Sequence, residues 1–94
     1  THKVTVQPGG SLGWHWHPGV VVLNVQKGTL TRVTKFRSRP GCTVETFPAG
    51  TSFIKEGTDP VNLSNLGSEP VEMYVIYIKP EGTPLRYNAE DPGC

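Results

Sequence analysis

Two histidines, His15 and His17, are separated by one residue in a stretch that the sequence predicts to be a β-strand. Side chains two positions apart on a strand point to the same face of the sheet. Both imidazoles can therefore reach one ion, and neutral imidazole is a good ligand for Zn, Fe, Mn, Ni and Cu. The pair predicts a binding site for a divalent metal ion. The alternative is that both rings are ordinary strand residues, either buried and hydrogen-bonded or exposed.

Three residues around the pair lie at informative distances from it. Gly9 lies six residues before His15, and Gly28 lies eleven residues after His17. This spacing resembles the first motif of the cupin family, which runs Gly, five residues, His-x-His, three or four residues, Glu, six residues and Gly. Val21 stands at the Glu position, so one of the family's usual metal ligands is absent. The resemblance implies a cupin fold and a metal site short of protein ligands.

A second stretch resembles the other cupin motif, which runs Pro-x-Gly, two residues, His, three residues and Asn. Residues 48–50 read Pro-Ala-Gly and match its start, and Asn65 matches its end. Residues 51–64 form a longer insertion than the motif allows. Counting back from Asn65 puts Val61 at the His position, so the resemblance implies that a second metal ligand is missing.

Any further ligand would then have to come from outside the usual cupin positions. Glu56 and Asp59 lie in the insertion, close in sequence to the missing His. A carboxylate from that loop would complete the set of two histidines and one carboxylate that non-haem Fe(II) oxygenases use. The alternative for each carboxylate is a solvated loop charge, which is the commoner role. His2, which shares a predicted strand face with Val4, is a further candidate, although a His so near a terminus is usually exposed.

The elements that must position these residues are short β-strands. Eleven glycines and nine prolines indicate many turns, and no window has the apolar spacing of a helix longer than one turn. Roughly eight or nine short strands, with turn signals about every ten residues, are typical of an all-β antiparallel double-sheet jelly roll or small β-barrel. An immunoglobulin-like sandwich is the alternative, but the cysteine spacing and tryptophan positions do not match it. We expect one domain over residues 1–94, with residues 80–94 as a C-terminal tail packed on the barrel.

The longest predicted strand, at residues 71–79, suggests what surrounds the histidines. One of its two alternating sets should line the interior, which would make a largely apolar pocket for a small organic ligand. Trp14 and Trp16 alternate with the histidines and should face the opposite layer. The expected pocket residues are Asn24, Met73, Val75 and Tyr77, with Asn24 as a polar contact, while Asn65 is interpreted as a turn residue.

Two cysteines, Cys42 and Cys94, are the only ones in the chain. An even count with one Cys at the last position predicts a disulfide that holds the C-terminal tail to the barrel; the alternative is two free thiols. A disulfide implies an oxidising compartment, and hence a secreted or extracytoplasmic protein. The first residue is Thr1 rather than Met, which is expected of a mature form whose signal peptide has been removed.

Composition excludes several functions. Nine basic and eight acidic residues give a net charge of +1, which argues against a nucleic-acid partner. No run of about 18 apolar residues exists, so no membrane span is expected. The cupins that this sequence resembles often dimerise, so the resemblance implies a possible homodimer, which exposed sheet edges would allow.

Three functions stay open on the sequence alone. The first is a metal-dependent cupin enzyme, of oxygenase or of isomerase or lyase type, that acts on a small organic substrate. The second is a non-catalytic secreted module that holds a metal ion or a small ligand, which the valines at two ligand positions favour. The third is a structural barrel in which His15 and His17 have no ligand.

Overall fold

Every regular element in the structure, a computed structural model that describes residues 2–94, is a β-strand. No helix long and apolar enough to cross a bilayer occurs in that part of the chain. The all-β prediction is confirmed. The strands are β1 His2–Val6, β2 His15–Trp16, β3 Val20–Lys27, β4 Thr29–Thr34, β5 Thr43–Pro48, β6 Ser52–Lys55, β7 Val61–Ser64, β8 Val71–Ile78 and β9 Tyr87–Asn88.

The strands form two antiparallel sheets, as the jelly-roll prediction requires. The first sheet has the order β1-β8-β3-β6 and the second the order β5-β4-β7-β2-β9. Strands distant in sequence therefore lie side by side, because β1 pairs with β8 and β2 lies between β7 and β9. This arrangement places β2, which contains His15, between β7 and the edge strand β9 of the second sheet.

The core lies between the two sheets and follows the alternation of apolar residues. In β3 the inward residues Val21, Leu23 and Val25 are buried, and they pack with Met73 of β8 and Leu30 of β4 in one apolar cluster. Burying such a side chain contributes about 1.5–3 kcal/mol to stability. The histidine site lies directly against this apolar cluster.

Gly28 shows why the motif spacing places a glycine after β3. Its φ is +75°, and a Cβ at this position would lie 2.6 Å from the Pro70 carbonyl oxygen. Glycine alone has both the left-handed conformation and the absence of a side chain that this β3–β4 turn requires. The close approach of the turn to Pro70 fixes the start of β8 against the end of β3.

Asn65 joins three segments as a buried side chain, 1% exposed. Its Nδ2 donates to the carbonyl oxygens of Val6 at 2.9 Å and Glu69 at 2.6 Å, and its Oδ1 accepts from the Gly67 amide at 3.0 Å. The side chain therefore closes the turn before β8 and fastens it to β1. It lies away from the histidines and has a structural role in this turn.

Two segments differ from the sequence-based expectation. The strand predicted at residues 12–17 is shortened to His15–Trp16, because Gly13 has a φ of +77° and interrupts the extended conformation. No strand was predicted in the tail, but it contributes β9, which pairs with β2 through His15 with Asn88 and Trp16 with Tyr87. The Trp16 ring also stacks on the Tyr87 ring, with centroids 4.3 Å apart.

The predicted disulfide between Cys42 and Cys94 is present, with Cα atoms 5.8 Å apart and 52 positions of sequence between the two residues. It ties the end of the tail to the segment just before β5. The homodimer stays a prediction.

Candidate ligand site at the histidine pair

His15 and His17 lie together at the inner side of the second sheet. His15 is 3% exposed and pairs with Val61 of β7 and Asn88 of β9. The two imidazole centroids are 4.9 Å apart, with the ring planes at 81°. The pairing of β2 on both sides holds His15 in place, and the ring of His17, just after the strand, packs edge to face against it.

Each imidazole uses its Nδ1 atom to contact a backbone carbonyl oxygen. His15 Nδ1 lies 2.7 Å from the Gly13 oxygen, and His17 Nδ1 lies 2.7 Å from the Leu85 oxygen in the tail. A carbonyl oxygen can only accept, so both Nδ1 atoms carry the hydrogen. In the neutral rings each Nε2 then has a free lone pair, which can accept a hydrogen bond or bind a metal ion.

Burial keeps both rings neutral. It is the main cause that lowers the pKa of His15 to about 4, against a smaller opposing effect of the hydrogen bond to Gly13. Burial also lowers the pKa of His17. The positive charges of Arg86 and Lys55 act on both rings in the same direction. At neutral pH the pair therefore offers acceptors at Nε2.

Two adjoining cavities meet at the histidine pair, with about 270 and 350 Å³ of space, part of it open to solvent. Val21 lines both cavities and Val61 lines the first. These are the two positions at which the motifs that the sequence resembles have Glu and His, and in this chain both side chains are apolar. The residues shared by both cavities are His15, His17, Val21, Leu23 and Leu63.

Three cationic side chains also line these cavities. Arg32 and Lys55 belong to the first cavity, and Arg86 belongs to the second. No carboxylate is among the lining residues of either cavity. In the part of the chain that the structure describes, neither Lys55 nor Arg86 has a carboxylate oxygen within 4.0 Å of its charged nitrogens, whereas Arg32 Nη2 lies 2.7 Å from Glu45 Oε1.

The two arginines are held by apolar and backbone contacts. The Arg32 guanidinium lies over the rings of Phe47 and Phe53, at 4.9 and 4.4 Å from their centroids. Arg86 Nη1 donates to the Leu12 carbonyl oxygen at 3.1 Å. The Nε atom of each arginine is buried without a hydrogen-bond partner among residues 2–94. Both guanidinium groups therefore keep unused donor capacity beside the cavities.

The structure places three of the four expected pocket residues beside the histidines. Met73, Val75 and Tyr77 line the second cavity, and the Tyr77 ring centroid lies 5.3 Å from that of His17. The placement of Asn24 is corrected. The inward positions of β3 are the odd-numbered ones, so Asn24 faces outward, where its Nδ2 donates to Ser52 Oγ at 2.6 Å.

The placement of Glu56 and Asp59 is also corrected. Both line a separate cavity and neither lines the two at the histidines. Asp59 Oδ1 accepts from the Arg37 amide at 2.9 Å and lies 4.0 Å from its Nε, so this carboxylate is held by Arg37. Within residues 2–94 no group of three His, Cys, Asp or Glu side chains could hold a metal ion.

The donor set does not fit a resident divalent cation. Such an ion needs three or four protein ligands, and only two histidine nitrogens converge. The remaining polar groups at the cavities are positively charged and would repel a cation. These cations were not predicted from the sequence, although the alternation Leu30, Arg32, Thr34 in β4 puts Arg32 on the same strand face as an apolar residue.

A protein-family model described as "Cupin domain" matches residues 2–77 of the sequence. The chain therefore belongs to the cupin family. No curated protein matches the chain.

Solved structures share the fold. One is an oxalate oxidase that is 25% identical to this chain, with a TM-score of 0.68. The match covers 78% of this chain and 38% of the oxalate oxidase. The cupin domain of Drosophila melanogaster CENP-C is 12% identical with a TM-score of 0.71, covering 79% and 56%. An RmlC-like cupin with a double-stranded β-helix fold from Methanocaldococcus jannaschii is 16% identical with a TM-score of 0.67, covering 78% and 62%. The chain thus spans well under half the length of the oxalate oxidase.

Proposed function

We propose that this cupin domain is a binding module that holds a small organic molecule between its two sheets, in contact with His15 and His17. The observation that carries the proposal is the pair of free Nε2 acceptors at the meeting point of two cavities whose walls are largely apolar, with three cationic side chains among them. Ligand sites combine such walls with a few well-placed polar groups. The disulfide supports a location in an oxidising, extracytoplasmic compartment.

The test is a titration of small organic molecules, neutral and charged, followed by the side-chain ¹⁵N signals of the histidines. Those signals report directly on what Nε2 accepts. We expect at least one compound to shift the His15 and His17 signals and to lose affinity in His15→Leu. Asn24→Ala, on the outer face of β3, is the matched control and should bind as the parent does. A full panel without any shift at the pair would refute the proposal.

The second candidate is a divalent-metal site on the same pair, which would serve a metal-dependent reaction. Only the two free Nε2 atoms and their proximity favour it. Elemental analysis of the parent, His15→Ala and Glu56→Ala decides the matter. Equal, near-zero metal content in all three, after growth with added Fe(II), Mn(II) and Zn(II), would exclude it. A metal content that falls only in His15→Ala would support it and would move the proposal from an organic ligand to an ion.

A further inference from the structure

The charges around the histidine pair define the class of ligand. We propose that the site takes a small hydroxycarboxylate, whose carboxylate is held by the cations of the cavity walls and whose hydroxyl donates its one hydrogen to the Nε2 of His15 or His17. This inference rests on the proposed function, since it names the ligand of the same site. It replaces the expected metal ion by an anion.

The carboxylate is inferred from cations that no carboxylate of the protein neutralises. Lys55 and Arg86 have no carboxylate oxygen within 4.0 Å among residues 2–94, where Lys55 Nζ donates to the Glu56 carbonyl oxygen and Arg86 Nη1 to the Leu12 carbonyl oxygen, each at 3.1 Å. Burying a charge or a donor without a partner costs free energy. A bound carboxylate would offset that cost, and its attraction to the cations would be stronger here than in water because the walls are apolar.

The hydroxyl group of the ligand is inferred from the orientation of the imidazoles. Both Nδ1 hydrogens are taken by the carbonyl oxygens of Gly13 and Leu85, so each Nε2 presents a lone pair. A carboxylate oxygen against a lone pair would be repelled, whereas a hydroxyl can donate to it. The ligand therefore needs a hydrogen-bond donor beside its negative charge.

The cavities limit the size of this ligand. Within their walls the two cavities have room for only a few water molecules, so a ligand must be short. The walls near the pair include Val21, Val61 and Tyr77, which can contact a short apolar group. A hydroxy acid of a few carbon atoms satisfies charge, donor and size together.

Three compounds of nearly equal size test the roles of the carboxylate and the hydroxyl separately. Lactate carries both groups, propionate lacks the hydroxyl and propane-1,2-diol lacks the charge. In titrations followed by the histidine ¹⁵N signals, we expect lactate to bind at least tenfold more tightly than either of the others. If propionate binds as tightly as lactate, the proposed role of the hydroxyl is wrong. If propane-1,2-diol binds as tightly as lactate, the proposed role of the carboxylate is wrong. If only uncharged compounds of the wider panel bind, the inference fails and the proposed function stands.

Variants test whether the named cations hold the charge. Lys55→Gln and Arg86→Gln should each weaken lactate binding about tenfold and leave the affinity for propane-1,2-diol unchanged. Lys27→Gln removes an exposed cation that lies 3.8 Å from Glu72, and it is the control with the same change in net charge. Because Arg86 also bonds the Leu12 carbonyl, its variant is used only if its melting temperature matches the parent's, and Lys55→Gln otherwise decides. Unchanged lactate affinity in Lys55→Gln and in a folded Arg86→Gln would contradict the inference.

Discussion

His17 and Leu85 are joined across 68 positions of sequence by a 2.7 Å hydrogen bond from the imidazole Nδ1 to the backbone carbonyl oxygen. The tail is therefore part of the site and does more than cover the barrel. It also supplies Arg86 to the second cavity and pairs as β9 with β2. The orientation of one of the two imidazoles depends on a segment that has no apolar periodicity.

The first prediction concerns acid sensitivity caused by His15. Its pKa is about 4 in the folded protein and 6.5 when unperturbed, so protonation favours the unfolded chain. Stability should be complete above pH 6.5 and fall as the pH drops toward 4, with a full loss of roughly 3 kcal/mol. Between pH 7 and 5.5 the expected loss is about 1 kcal/mol, measured by guanidinium unfolding with EDTA present. His15→Gln should reduce this decline to the part that His17 contributes, while His2→Gln, at an exposed position, should leave it as in the parent. A parent without any decline would contradict the assignment.

The second prediction separates backbone strain from lack of space at two glycines. Gly28 and Gly50 both have positive φ, at +75° and +90°, but only Gly28 has a close neighbour, the Pro70 oxygen 2.6 Å from its ideal Cβ. Gly50→Ala should cost about 1–2 kcal/mol from strain alone. Gly28→Ala should cost at least about 3 kcal/mol, because the turn must also move away from β8. Equal urea midpoints for the two variants would show that the close approach does not matter.

The third prediction concerns the buried amide of Asn65. Asn65→Ala leaves the Val6 and Glu69 carbonyl oxygens without their side-chain donor, and we expect a loss of about 3 kcal/mol in the free energy of unfolding. Asn65→Asp keeps the shape but removes the donor, so it should be at least as harmful. Asn88→Ala, at an exposed position of β9, serves as the control. A stability loss in Asn65→Ala no larger than in that control would refute the role.

The fourth prediction concerns the disulfide. Cys42→Ser with Cys94→Ser should lower the stability by about 4 kcal/mol, because a loop of 52 positions is no longer closed in the unfolded chain. Dithiothreitol should destabilise the parent by the same amount and leave the double variant unaffected. Since the tail carries Leu85 and Arg86, we also expect the His17 side-chain signals to broaden on reduction. A reduced parent with parent-like stability would contradict this prediction.

Much of the fold could be predicted because its signals are local. Turn residues and the alternation of apolar side chains in β3 and β8 define strands and their inward faces without knowledge of the partners. The error at residues 12–17 has a local cause as well, since the left-handed conformation of Gly13 is one that glycine adopts freely and the sequence alone does not reveal.

The site was less predictable because its chemistry depends on pairing between distant segments. The spacing of His15 and His17 identifies a pair, but the cations that join it come from β4, β6 and the tail. Asp59 was expected near the pair, and its bond to Arg37 holds it elsewhere. Asn24 was assigned inward, yet the pleat of β3 puts it on the outer face. The charged groups that come together between two sheets depend on the tertiary structure. The spacing of residues along one strand does not predict them.

The pairing of β1 with β8 also bears on how fast the chain can fold. Val6 lies opposite Val71 and His2 lies opposite Val75, so the first sheet is complete only when segments about seventy positions apart have met. The entropy cost of closing a loop of that length comes before the stabilising contacts between its ends can form. Domains dominated by such pairings fold in milliseconds to seconds. Among residues 2–94, β1 is an edge strand that pairs with β8, so the edge of β8 is open whenever β1 is not docked. Folding of this domain should therefore be most vulnerable to intermolecular strand pairing before residues 2–6 have docked.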